Sequence, residues 1–177
     1  DETILLIKKY HASSRPFFLN VWFDVPHTPY EPAPEPFHEM YTDRGFEGDK
    51  ACYCSMVSHM DHGVGKIVQR VNELGLRDNT VIIFSSDNGP SYIGSTGYFA
   101  GGKADLHDGG IHVPFIISWP DKLQKNTVRN DMLASNVDIL PTLAEIAGAN
   151  PLDYSFDGIS LLPYLIGNKE FANRPPL

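Results

Sequence analysis

The stretch Ile82 to Ser91, IIFSSDNGPS, carries an apolar, strand-like run straight into Asp87-Asn88-Gly89. An apolar run of this length next to turn residues reads as a buried strand. The Asp87-Asn88-Gly89 triplet has two readings. Asn-Gly and Asp-Gly pairs tolerate positive φ and make tight turns, whereas a carboxylate beside an amide at the end of a strand also offers two oxygen ligands to an ion. Acid-glycine pairing recurs at Asp61-His62-Gly63, Asp108-Gly109-Gly110 and Asp157-Gly158. Turn chemistry by itself therefore accounts for the pattern, and only the surrounding sequence can separate the two readings.

Upstream, apolar residues from Tyr53 to Leu74 recur at three- and four-residue steps, which predicts an amphipathic helix over 50–74 closed by Gly75. Asp78-Asn79 then turns the chain into a strand over 81–85. Downstream, a glycine-rich span from Gly89 to Gly110 leads to a further strand over 113–119. A helix over 137–147 comes next, with Ser135, Asn136 or Asp138 near its start, Pro141 in its first turn and Gly148 ending it. At the N-terminal end Thr3 caps a short helix over 4–11. Phe17 to Val25, hydrophobic at nearly every position, predicts a strand buried on both faces that ends near His27. Pro32, Pro34 and Pro36 make 30–44 an extended loop. From Asp157 the tail has one apolar cluster and then polar residues and prolines.

Strands alternating with helices indicate an α/β layer architecture. Because the connection between the strands over 81–85 and 113–119 is read as carrying no helix, a wholly parallel sheet is not assured, and the expected sheet is mostly parallel or mixed, flanked by helices. No internal repeat or low-complexity linker divides residues 1–177, which read as a single domain.

The bulk numbers are globular: 177 residues, 42% hydrophobic and 20% charged, with a net charge of -8. No lysine or arginine stripe exists to track a phosphate backbone, which argues against a nucleic-acid partner. No apolar run is long enough for a membrane span. An anionic small substrate is still allowed, since one local lysine can outweigh a distant negative surface. Cys52 and Cys54 lie one residue apart in a helical pattern, point to different faces and are not expected to bridge each other. The first residues lack the basic start, apolar core and cleavage site of a secretory signal.

Three polar clusters fall at or just beyond predicted strand ends: His27, Asp87 with Asn88, and Lys103 in GGKADLHDGG. Open α/β sheets place their ligands at that edge. Taken singly, a histidine after a strand is ordinarily a capped or solvent-facing residue, and a lysine in a glycine loop an ordinary surface charge. Their shared location makes them candidates. Asp87 and Asn88 offer only oxygen, which suits calcium or magnesium rather than zinc. His59 and His62, with Asp61 between them, have helical spacing but lack the third ligand of a metalloprotease arrangement, so they read as a polar helix face.

Five segments in collinear order then carry a family resemblance: PFFLNVWFDVPHTP, MVSHMDHGVGKIVQRVNELGLRDNTVIIFSSDNG, GGKADLHDGGIHVPFIISWPDKL, VDILPTLAEIAG and DGISLLPYL. Together they resemble the sulfatase family of the alkaline-phosphatase-like superfamily across almost the whole chain. The resemblance implies a portion of an alkaline-phosphatase-like sandwich and hydrolysis of an organic sulfate ester, carbohydrate or aryl. It implies Asp87 and Asn88 as two ligands of one calcium ion. Lys103 would contact the sulfate and steady the leaving oxygen, and His27 would sit in the same pocket as proton donor to the leaving alcohol. A periplasmic, secreted or lysosomal location is implied in the same way.

Departures from the family pattern sharpen the expectation. Asp108 stands where glutamate is usual and His112 where arginine is usual, so the support of the lysine loop is expected to differ. The family nucleophile is a formylglycine made from a Cys/Ser-x-Pro-x-Arg motif, and neither Cys52-Tyr53-Cys54 nor Cys54-Ser55-Met56 continues in that way. The chain thus reads as a C-terminal portion of a sulfatase catalytic domain, inactive alone, whose partner is the missing N-terminal part of the same enzyme. Sheet edges left unpaired would also favour a homo-oligomer through the exposed sheet. Two alternatives stay open: a phosphatase or phosphodiesterase of the same superfamily, which an asparagine at position 88 disfavours because zinc prefers imidazole, and a non-catalytic remnant.

Overall fold

A computed structural model describes residues 2–149 and 155–167. The proline-ended tail beyond Gly167 lies outside the described residues. The chain forms two compact units, Asp1–Thr80 with Asn88–Val113, and Val81–Asp87 with Pro114–Leu177.

The first unit is organised by one long helix. Helices α1 (Glu2–Ala12) and α2 (Glu39–Thr42) both pack against α3 (Gly48–Glu73), and a one-turn helix α4 (Asp108–Ile111) lies further along the chain. The apolar periodicity of α3 does its expected work: Ala51, Met56 and Val71 are buried, as is Ile7 of α1. Its end is a Schellman motif. Gly75, at φ +66°, donates its N–H to Asn72 O at 3.0 Å, and Leu76 N–H reaches back to Val71 O at 3.0 Å. The proline loop lies along the same helix, with Ala33 N–H donating to the Ser55 hydroxyl at 3.2 Å and that hydroxyl donating to Cys52 O at 2.7 Å. The hydroxyls of Tyr41 and Ser58 meet at 2.6 Å. His59 and His62 rest their rings on Phe37, with centroids 5.1 and 5.3 Å away, so this histidine pair is a packed helix face. Cys52 and Cys54 are both free thiols.

The expected strand over 17–25 does not form. Among the described residues no strand pairs with it, and Phe18 and Trp22 are 73% and 86% exposed. A hydrophobic run records that a segment is suited to burial on both faces, but a strand exists only where a neighbour accepts its ladder hydrogen bonds.

The second unit holds the sheet. Strands β1 (Ile82–Ser85) and β2 (Phe115–Ser118) pair antiparallel, with Ile82 opposite Ser118, Ile83 opposite Ile117, Phe84 opposite Ile116 and Ser85 opposite Phe115. Parallel neighbours need a substantial crossover, usually a helix, and the connection between these two carries only a single helical turn. Helix α5 (Ile139–Ile146) comes after a 3₁₀ turn over Asn136–Asp138, and Gly148 at φ +75° closes it. A last turn, α6 (Leu162–Leu165), packs on α5.

One buried carboxylate ties this unit together. Asp138 accepts Ser135 N–H on Oδ2 and Ile159 N–H on Oδ1, both at 2.8 Å. One turn later the Thr142 hydroxyl donates to Asp138 O at 2.6 Å and accepts Leu161 N–H at 2.8 Å. Substituting Asp138→Ala leaves two amides without their acceptor, at roughly 1–3 kcal/mol each. Urea unfolding should therefore register a loss of about 2–6 kcal/mol for Asp138→Ala, and a loss no larger than that of an exposed Asp→Ala control would show that the carboxylate is not the tie.

Candidate functional site

The end of β1 is held within its own unit. Asn136 accepts the Ser85 hydroxyl on its side-chain oxygen at 3.0 Å and donates its amide N–H to Ser86 O at 2.9 Å. Asp87, the next residue, is exposed. The chain then passes into the other unit at Asn88, which is half-buried and donates its side-chain N–H to Gly89 O at 2.8 Å. With the nitrogen engaged in this way, oxygen is the atom with which Asn88 would meet a cation.

Gly89 is not a turn glycine. It is buried and does not belong to the residues at positive φ. Its N–H donates to Gly110 O at 2.7 Å, and a Cβ on it would overlap the carbonyl oxygen of Gly109. Glycine is needed here for close backbone approach, not for a left-handed conformation. Immediately beyond it, Pro90 O accepts the N–H of Lys103 at 2.8 Å. Two backbone hydrogen bonds thus seat the Gly-Lys loop and the acid-Gly-Gly segment on Asn88-Gly89-Pro90.

The Gly-Lys loop is itself a tight construction. Gly101 sits at φ +79° and Ala104 at φ +71°, the latter a left-handed conformation that costs a residue with a Cβ about 1–2 kcal/mol. Asp105 N–H closes the turn onto Gly102 O at 2.9 Å, and Gly109 N–H reaches Ala100 O at 2.7 Å. The Asp105 carboxylate accepts the N–H of His107 at 3.0 Å and also meets the His107 ring at Nδ1. The backbone bond from His107, then the ring contact, hold the Asp105 carboxyl below the usual carboxylate range. The two departures from the family pattern also find places: Asp108 opens α4 and its carbonyl accepts His112 N–H at 2.7 Å, while the His112 ring lies against Phe99 with centroids 4.5 Å apart.

Lys103 is exposed and lines a cleft of about 530 Å³ with Ser91, Tyr92, Thr96 and the glycines of the loop. The far side of this cleft is pinned from elsewhere in the unit. The hydroxyls of Tyr30 and Ser91 meet at 2.7 Å, and Lys50 Nζ donates to Ile93 O at 2.8 Å. The ring of Tyr30 stands edge-on to Tyr53 at 5.8 Å, and desolvation, followed by Cys54 and Tyr30, pushes the Tyr53 phenol up from its ordinary value.

His27 lies three residues before Tyr30, exposed, in a turn closed by its own N–H on Asp24 O at 3.1 Å. Its Nδ1 is 2.9 Å from Thr28 O. A carbonyl only accepts, so Nδ1 carries the hydrogen and Nε2 is the nitrogen left to exchange a proton with a ligand. The loop bearing His27 is therefore linked through Tyr30 to the wall of the cleft that Lys103 lines.

Tyr30, Ser91 and Asp105 are the residues that sequence reasoning missed as site residues. Tyr30 and Ser91 stand 61 positions apart, and no local period marks such a pair. Asp105 had a signal, since an acid two residues beyond a lysine in a glycine loop is well placed to cap the next turn.

Comparison with known proteins gives one consistent result. Residues 1–149 match the family described as Sulfatase. The chain is 34% identical over 184 residues to N-acetylgalactosamine-6-sulfatase of Canis lupus familiaris, covering 99% of this chain and 33% of that protein. It is 34% identical over 183 residues to steryl-sulfatase of Mus musculus, covering 96% of this chain and 27% of that protein. A solved structure described as Ps i-CgsB in complex with k-i-k-neocarrahexaose superposes with a TM-score of 0.85 at 30% identity, over 96% of this chain and 38% of the other. The chain spans about a third of the length of the curated relatives it matches.

The seating of the lysine loop gives a direct test. Gly89→Ala places a Cβ against the Gly109 carbonyl and breaks the approach on which the Lys103 N–H to Pro90 O bond depends. Amide hydrogen exchange should show protection lost at Lys103 and Gly109, and unchanged protection at both would contradict this account of the loop.

Proposed function

The chain belongs to the sulfatase family, and we propose that the protein carrying it hydrolyses organic sulfate esters, with this chain supplying one wall of the sulfate pocket. Its fold is a portion of the alkaline-phosphatase-like α/β sandwich, a reading supported by the family match and by the superposition on the Ps i-CgsB structure. The observation that carries the functional reading is the 2.8 Å bond from Lys103 N–H to Pro90 O. It fixes the lysine loop against the segment that begins at Asn88, so that the ammonium group stands in an open cleft where a sulfate can reach it.

The chemistry asks little more of these residues. Cleavage of the S–O bond leaves negative charge on the bridging oxygen, and an alkoxide is a poor leaving group without a proton or a cation beside it. Lys103 supplies positive charge to the sulfate and the departing oxygen. His27, held by its Nδ1–H on Thr28 O, donates a proton from Nε2 to the departing oxygen when the ring is the doubly protonated imidazolium, and is left as the neutral Nδ1–H imidazole. The nucleophile, a formylglycine by family resemblance, is contributed by other residues of the protein, because no Cys/Ser-x-Pro-x-Arg run occurs in this sequence.

Calcium fits the donor set. Asp87 offers an exposed carboxylate and Asn88 an amide whose nitrogen is already committed to Gly89 O, so both present oxygen to a hard cation. Among the described residues no group of three or more His, Cys, Asp or Glu gathers to hold a metal, and Asp87 with Asn88 would be part of a larger ligand set. When bound, calcium would neutralise charge on the sulfate oxygens.

In the full-length protein, Lys103→Ala should lower kcat/KM for 4-nitrophenyl sulfate by roughly 100- to 1000-fold, the cost of losing one well-placed electrostatic donor. The 177-residue chain alone should show no turnover. Undiminished activity of the Lys103→Ala protein, or sustained metal-dependent turnover by the isolated chain, would overturn this assignment.

A further inference from the structure

We propose that the cleft beside Lys103 is a saccharide subsite in which the ring of Tyr92 stacks on a sugar, making the substrate a sulfated carbohydrate rather than a sterol sulfate. The proposal rests on the sulfatase reading above and adds the substrate class. Its first support is the chemistry of the lining. Apart from Pro90 and the Tyr92 ring, the wall consists of the Ser91 and Thr96 hydroxyls, the Lys103 amine and glycines. A fused apolar alcohol is best held by a continuous hydrophobic wall, and the residues this chain supplies to the cleft do not form one. A sugar presents hydroxyls around its rim and C–H groups on its faces, and it matches a surface where hydroxyls surround one aromatic plane.

The second support is that Tyr92 is exposed without being loose. It is 85% exposed, yet both its neighbours are held: Ser91 by the Tyr30 hydroxyl at 2.7 Å and Ile93 by Lys50 Nζ at 2.8 Å. The backbone that carries the ring is anchored on either side to the long helix and the proline loop, so stacking need not order the main chain and costs only the freedom of one two-torsion side chain. The other aromatics of this glycine-rich span do not compete for the role. Phe99 is taken by the His112 ring, and Tyr98 does not line the cleft. Gly94 packs so closely on Pro90 and the Tyr53 hydroxyl that no side chain fits there, which keeps the floor of the cleft bare of side chains.

The test uses the full-length protein with sulfated oligosaccharides of galactose, N-acetylgalactosamine and fucose, a steroid sulfate, and 4-nitrophenyl sulfate. One of the saccharides should be the preferred substrate. For it, Tyr92→Ala should raise KM by roughly threefold to tenfold, the worth of one aromatic stack, and lower its kcat/KM relative to 4-nitrophenyl sulfate. Tyr92→Phe, which keeps the ring and removes the hydroxyl, should restore it. Turnover of the steroid or aryl sulfate with every saccharide inert would overturn the subsite while leaving the sulfatase reading intact, as would a saccharide KM indifferent to Tyr92→Ala. Failure to cleave any sulfate ester would remove the sulfatase reading itself, and the subsite with it.

Discussion

The contact between the backbones of Gly89 and Gly110 governs the candidate site. A 2.7 Å N–H to carbonyl bond at a position where a Cβ would overlap the neighbouring carbonyl means that two chain segments lie as near as main chains can. That approach arranges the lysine loop. It sets Pro90 O where Lys103 N–H can reach it, which fixes the lysine loop. Gly109 and Gly110 belong to the same crowding, because a Cβ on either would also run into carbonyl oxygens of the loop. Glycine is thus required here by proximity, and its conformational freedom is used elsewhere, at Gly75 and Gly101.

The long helix α3 gives this cluster something rigid to stand on. Its first two turns contribute Lys50 and Tyr53 to the segment after Pro90, and its second turn contributes Ser55 to the proline loop. Tyr30 closes the arrangement by bonding Ser91 from the loop that also carries His27. The loop of the candidate proton donor and the cleft wall are therefore connected through side chains braced on one helix, and the lysine loop joins them through backbone hydrogen bonds. Sites held in this way keep their geometry without a ligand. The presentation of Lys103 and Tyr92 into open solvent is consistent with that.

Much of this was legible in the sequence, and the parts that were not share a physical cause. Local pattern found α3, α5 and both paired strands to within a few residues, the helices from apolar side chains three and four positions apart and the strands from short apolar runs beside turn residues. The segment from Phe17 to Val25 was legible as apolar but not as unpaired, since pairing depends on a partner that the segment itself does not encode. Asn88-Gly89 was legible as special, yet its glycine serves close approach rather than a turn, and that depends on Gly109 and Gly110, far along the chain. The Tyr30–Ser91 bond spans 61 positions and leaves no local trace. His27, Lys103, Asp87 and Asn88 were picked out by motif and by strand-end position. The tie from the His27 loop through Tyr30, and the capping of the lysine loop by Asp105, emerge only in three dimensions.

The central claim is that backbone packing at Gly89 presents Lys103 to a sulfate. A crystal structure of the full-length protein with orthovanadate or inorganic sulfate bound tests it most directly. The account predicts the Gly89 N–H to Gly110 O and Lys103 N–H to Pro90 O bonds intact, with Lys103 Nζ within about 3 Å of an anion oxygen. An anion bound with the lysine loop displaced from Pro90, or with Lys103 turned away from it, would contradict the account.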